Sequence, residues 1–169
     1  MAINLTALKP NVVSTDLTGY ITYLYGQPKT GKTTLATQMP GALLLALEPG
    51  YHALPGVIAQ DITSWSEMRQ VCRELKKPEV KEMFKSVVVD TVDIASDYCK
   101  KYICSQHGIE DLADAGYGKG YTWFKDEFND VFRTLSQLGY AVVILGHDKE
   151  SVSEDGKSKI NSPALNNST

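Results

Sequence analysis

The sequence has little cysteine and little arginine, no cationic excess and no long apolar run. Cys72, Cys99 and Cys104 form neither a C-x-x-C pair nor a metal-like cluster. This argues against a zinc module or a disulfide scaffold and fits reduced, buried thiols. A formal net charge of -3 and a pI near 5.6 rule out a global basic footprint, so any contact with nucleic acid has to come from a local patch. No apolar stretch approaches the length of a membrane span, and no cationic N-terminus leads into one. A soluble, cytoplasmic chain without a membrane partner is the expectation. The only arginines are Arg69, Arg73 and Arg133, too few for the phosphate-clamping lid of a small-molecule or nucleotide kinase. With 169 residues, 43% of them hydrophobic and 22% charged, the composition is that of one ordinary domain over residues 1–169.

What is present begins with "YGQPKTGKTT" at residues 25–34, directly after the apolar run "ITYLY". Gly26, then Gln27, Pro28, Lys29 and Thr30, then Gly31, Lys32 and Thr33 satisfy G-x-x-x-x-G-K-[ST] between a strand-like and a helix-like segment. Glycines let successive N–H groups turn inward, and a helix starting near Lys32 adds its positive end. Lys32 would reach the β- and γ-phosphates of ATP, Thr33 would offer its hydroxyl to Mg²⁺, and Thr34 would add a contact near the α-phosphate.

Further along, "ALLLAL" at 42–47, "SVVVD" at 86–90 and "YAVVILG" at 140–146 are too short and too continuously apolar for amphipathic helices and read as central parallel strands. Between them, helices are expected at 32–38, 65–76 (N-cap Ser64, with Glu67 three residues on), 92–106 and 121–138, the last closed by Gly139. A short extended piece is expected at 57–62, an irregular loop at 108–120, an N-terminal arm at 1–17 and a polar, mobile tail at 148–169. Alternating strands and helices predict an α/β fold, a mainly parallel sheet with helices on both faces.

In such sheets ligands sit beyond the carboxyl ends of the strands. The phosphate loop, Glu48, Asp90 and His147 end four strands in turn and so share one rim. Asp90 has the form of the acidic residue that supports Mg²⁺, although a strand-ending Asp also caps helices. The next position, where many such enzymes carry the glutamate that polarises water, is Thr91. Glu48 then becomes the candidate base, its alternative being a surface residue of a Glu-Pro-Gly turn. His147 would hydrogen-bond the γ-phosphate or serve only as a strand-end histidine.

The phosphate loop, "LALEPGYHAL", "SVVVDTVD", "GYGKGY" and "VVILGHDKE" together resemble, over about residues 21–150, the RecA-like ATPase core and short phage-encoded members of that lineage. The resemblance implies a P-loop NTPase fold and ATP-dependent binding or annealing of single-stranded DNA in recombination or replication. Glu48 would match the catalytic glutamate, Asp90 the Mg²⁺-supporting aspartate and His147 a position where RecA carries a γ-phosphate-sensing glutamine. The segment at 116–121 would be a DNA-facing loop in which Tyr117 and Tyr121 stack bases and Lys119 neutralises phosphate, with Lys149 in a second. A homo-oligomer with ATP near a subunit interface, a phage or host replication protein as partner and the bacterial host cytoplasm as location follow from the same likeness. The sequence stops short of the further strands of a complete RecA-like core. A nucleotide-dependent switch acting on a protein partner stays open beside this reading, as does a kinase.

Overall fold

The computed structural model describes residues 16–152 and 159–163. Most of the expected N-terminal arm and the end of the expected tail lie outside the described residues.

Strands β1 (Ile21–Tyr25), β2 (Ala42–Ala46), β3 (Ile58–Asp61), β4 (Ser86–Asp90) and β5 (Ala141–Gly146) form one parallel sheet in the order β1-β5-β4-β2-β3. Helices α1 (Lys32–Ala36), α2 (Trp65–Glu74), α3 (Pro78–Met83), α4 (Val92–His107) and α5 (Lys119–Gln137) connect them. Leu43, Leu45, Val87, Val89 and Val142 face one core, closed by Trp65 and Met68 of α2, Ala95 and Cys99 of α4, and Phe124, Phe128 and Leu135 of α5. Leu44, Val88, Val143 and Leu145 alternate to the opposite face, where Ala36 of α1 packs. A strand buried on both faces gains nothing from polar alternation, which is why these strands read as unbroken apolar runs.

Two large polar side chains carried into the core are paired, whereas the buried hydroxyls of Tyr23 and Ser96 have no hydrogen-bond partner among the described residues. Trp65 Nε1 donates to Glu127 Oε1 at 2.8 Å and Tyr140 Oη donates to the carbonyl of Leu75 at 2.8 Å. Ser64 caps α2 by accepting from the Glu67 amide, and Glu67 reaches back to the amide and hydroxyl of Thr63. These exposed hydrogen bonds, the backbone amide first, hold the Glu67 carboxyl below the usual range.

Three expectations need correction. Helix α1 stops at Ala36 because the next amides shorten to i−3 partners, Gln38 to Leu35 and Met39 to Ala36, ahead of Pro40. The segment 108–120 is not irregular throughout: Asp111 and Asp114 form a capping box around a 3₁₀ turn, Leu112–Ala115, and α5 begins at Lys119, so Lys119 and Tyr121 are helical. The start of the polar tail is an antiparallel pair, β6 (Asp148–Val152) with β7 (Lys159–Pro163). "DKESV" and "KINSP" each hold a single aliphatic residue, so the period-2 signal that marks a strand is missing.

Candidate functional site

Registration of the sheet decides what meets at its carboxyl edge. Ala46 lies level with Asp90, Asp90 with Leu145, and Gly146 with Tyr25. Glu48, Asp90, His147 and the phosphate loop therefore arrive on one rim, and the loop is tied to it by the Gly26 amide, which donates to the Gly146 carbonyl at 3.3 Å. They surround a cavity of about 340 Å³ lined by Lys29, Gly31, Lys32, Thr33, Thr34, Glu48, Asp90, Thr91 and His147, with Pro28, Gly50 and Leu54 completing it. Gln27 and Thr30 lie in the exposed outer part of the loop, where the Thr30 hydroxyl donates to the Gln27 carbonyl.

Inside the loop the backbone turns through positive φ at Lys29 (65°) and Gly31 (89°). Left-handed turns of this kind aim consecutive amides into one concavity. Helix α1 has only five residues, so the amides of the loop supply more of the anion attraction than a helix dipole does. Lys32 Nζ donates to the carbonyls of Gly26 (2.8 Å) and Gln27 (2.9 Å), which pins the ammonium over the loop and leaves its third proton for a phosphate oxygen.

Beside it, Thr33 Oγ1 donates to Asp90 Oδ2 at 2.6 Å, joining the hydroxyl and the carboxylate expected around Mg²⁺. Partial burial pushes the Asp90 carboxyl above its usual range; the Thr33 hydrogen bond opposes this, and the Glu48 charge adds to it. A divalent cation would relieve that penalty. Among the described residues no cluster of three or more His, Cys, Asp and Glu side chains is arranged to hold a metal alone. The donor set suits Mg²⁺, which keeps waters and takes phosphate oxygens rather than an all-protein cage.

On the other wall the Thr91 hydroxyl donates to Glu48 Oε1 at 3.2 Å, and His147 Nε2 stands 3.9 Å from the same oxygen. The peptide between Asp90 and Thr91 is cis. Asp93, in the first turn of α4, accepts from the His147 amide at 3.0 Å and faces His147 Nδ1 at 3.2 Å through the same Oδ2. Sequence reasoning missed Asp93. Its signal was the placement three residues after Asp90 in the first turn of the following helix, where a carboxylate is favoured and stays beside the rim. His52 lies tilted against Tyr51 and His107 stacks on Trp123, and neither lines the cavity.

The residues expected to meet DNA stand apart from this cavity. Tyr117 is fully exposed with φ 48° between Gly116 and Gly118, Tyr121 is about half exposed, and Lys119 opens α5. Lys149 is exposed on β6.

A glycine loop between strand and helix, a Lys pinned over it, a Thr–Asp pair and a flanking carboxylate on a five-stranded parallel sheet define a P-loop nucleotide-binding domain. Comparison with known proteins refines this: residues 18–169 match the AAA domain family AAA_24, and the chain belongs to it. A relative, the SPbeta prophage-derived uncharacterized protein YorG of Bacillus subtilis (strain 168), is 30% identical over 177 aligned residues covering 99% of this chain and 54% of YorG. The chain thus spans about half the length of that relative. No helix of the described residues is long and apolar enough to cross a membrane.

Proposed function

We propose that the protein is a Mg²⁺-dependent, RecA-like ATPase of phage origin whose nucleotide state governs binding or annealing of single-stranded DNA. One observation carries the catalytic half: Glu48 shares the cavity of the phosphate loop and the Thr33–Asp90 pair. In this reading Lys32 and the loop amides hold the triphosphate, Thr33 and Asp90 hold the cation and its water, and Glu48 takes the proton of the attacking water. Mg²⁺, when bound, supplies charge neutralisation at the β- and γ-oxygens. The prophage relative supports the phage setting; a bacterial cytoplasm and phage or host replication proteins as partners are further parts of the proposal. An oligomer with ATP near a subunit interface belongs to the same proposal.

The DNA half rests on Tyr117, Tyr121 and Lys119, two exposed rings and a cation beside a glycine-flanked turn, with Lys149 as an outlying contact. Rings of this kind stack bases without reading sequence. One observation favours a second reading, a nucleotide-dependent switch acting on a protein. The surroundings of Tyr121 are acidic, for Asp97, Glu110 and Asp111 line the adjoining cavity with Lys100 and Lys101. The neighbouring Cys104 thiol is raised by burial and then by the charges of Asp111 and Asp114. A kinase is disfavoured because the arginines with described partners are engaged elsewhere, Arg69 with Glu127 and Tyr102, Arg133 with Asp130.

The deciding measurement is steady-state ATP hydrolysis with Mg²⁺, with and without long single-stranded DNA, on the protein and on Lys32→Ala. The expected result is DNA-stimulated hydrolysis that disappears in Lys32→Ala together with nucleotide binding. Full nucleotide affinity in Lys32→Ala would sink the phosphate-loop assignment, and hydrolysis indifferent to DNA would move the reading to the protein switch.

A further inference from the structure

Asp93 belongs to none of the roles assigned so far, yet it ties the first turn of helix α4 to His147, the residue after β5. One oxygen, Oδ2, receives both the main-chain N–H and the ring Nδ1 of His147. A carboxylate accepts and does not donate, so a ring held this way carries its proton on Nδ1. In a neutral imidazole the other nitrogen is then a bare acceptor, and here it is turned toward Glu48 Oε1 at 3.9 Å. Free imidazole has no such constraint on either its rotation or its tautomer.

Neither group moves independently of the fold. The His147 amide contact fixes the histidine's main chain relative to Asp93, and Asp93 sits in the first turn of a 16-residue helix, where its charge is favourable. Behind the pair, Tyr23 is raised by burial and then by the charge of Asp93, so that charge faces a poorly solvated neighbourhood. Glu48 is itself held by the Thr91 hydroxyl. His147, Glu48 and Thr91 line the nucleotide cavity, and Asp93 contacts His147 without lining it.

We propose that Asp93 is a positioning residue: it fixes His147 as the Nδ1–H tautomer, so that Nε2 and Glu48 Oε1 stand side by side as two acceptors for the hydrogens of one attacking water. The effect on turnover rests on Glu48 acting as base, as proposed above; the tautomer does not.

The test is long-range ¹H–¹⁵N correlation on histidine-labelled protein at a pH well above the ordinary histidine pKa of about 6.5, without nucleotide. His147 is assigned by the resonances lost in His147→Gln, leaving His52 and His107. The expected spectrum of the unaltered protein shows His147 protonated on Nδ1. In Asp93→Ala the proton moves to Nε2, and kcat for ATP falls on the order of 10- to 100-fold, the usual cost of losing a residue that orients a histidine, while KM changes little. Asp93→Asn keeps an acceptor oxygen, so it retains the Nδ1–H ring and recovers most of kcat. An Nε2–H ring in the unaltered protein overturns the proposal without any variant, as do unmoved His147 shifts or an unmoved kcat in Asp93→Ala. Normal turnover in Glu48→Gln, with a ring that still flips in Asp93→Ala, would sink the base assignment and leave the tautomer assignment standing.

Discussion

Two carboxylates line the cavity, and their surroundings give them different work. Glu48 is held by the Thr91 hydroxyl and faces His147, whereas Asp90 is more deeply placed and bound by Thr33. Replacing Glu48 with Gln keeps the shape and the acceptor for Thr91 but removes the basic oxygen. Nucleotide affinity should stay within a few-fold while turnover drops roughly 10²- to 10⁴-fold, which equilibrium titration and single-turnover hydrolysis would separate; near-normal turnover would remove Glu48 from that role. For Asp90 the consequence is in stability. Its folded pKa lies above the unfolded value, chiefly because partial burial disfavours the charge. The stability linked to the protonated form is full below the ordinary Asp range and is lost as pH rises through the raised value. Asp90→Asn retains an acceptor for Thr33 and carries no charge. Without nucleotide and Mg²⁺, this variant should therefore melt above the parent at pH 7.5, with the gap narrowing as pH falls toward 4. A Tm difference independent of pH would contradict the account. The same variant should lose Mg²⁺-dependent hydrolysis, so the strain that Asp90 introduces serves the cation.

Among the elements, the junction of the 3₁₀ turn Leu112–Ala115 with α5 is the place where one atom decides a local fold. Gly120 lies in the first turn of α5, and a Cβ there would run into the main chain of Leu112, with no side chain to rotate away. Gly→Ala in a helix ordinarily gains up to about 1 kcal/mol. Here the backbone of a buried residue has to shift, and overpacking of this kind costs about 1–3 kcal/mol. Gly120→Ala should lower Tm by several degrees and displace Tyr117 and Tyr121; an unchanged or higher Tm would mean that the junction yields easily. This close approach was invisible in the sequence, as were α3 (Pro78–Met83) and the β6–β7 pair. A 3₁₀ turn, a six-residue helix and a nearly all-polar ribbon leave little hydrophobic period to read. By contrast β2, β4 and β5 were legible because full burial on both faces demands unbroken Val, Leu and Ile. Residues 25–34 were legible because phosphate binding constrains eight positions at once. For the rim, strand ends located Glu48, Asp90 and His147. Asp93 had a local signal in its place three residues after Asp90, but its contact with His147 is made only by the three-dimensional approach of α4 to the end of β5.

At the scale of the whole molecule, charge limits how the chain can hold a polyanion. Net charge is -3, and the cations near the exposed tyrosines, Lys100, Lys101 and Lys119, are matched by Asp97, Glu110, Asp111 and Asp114 around the same helix ends. A single protomer therefore has about two or three lysines to set against phosphates, and stacking on Tyr117 and Tyr121 has to carry most of the contact at about 1–3 kcal/mol per base. Counterion release scales as about 0.7 per neutralised phosphate on a single strand. Raising salt from 50 to 200 mM should then weaken the proposed binding only about 7- to 20-fold. The expected pattern in fluorescence anisotropy is a shallow salt slope together with a large loss of affinity in Tyr117→Ala combined with Tyr121→Ala. A slope several times steeper, insensitive to the tyrosines, would place DNA on a basic surface assembled by several protomers. Absence of binding at low salt would leave the acidic flank as the dominant feature and turn the nucleotide cycle toward a protein partner. Charge matching thus makes the salt slope, more than the affinity itself, the quantity that separates the two readings.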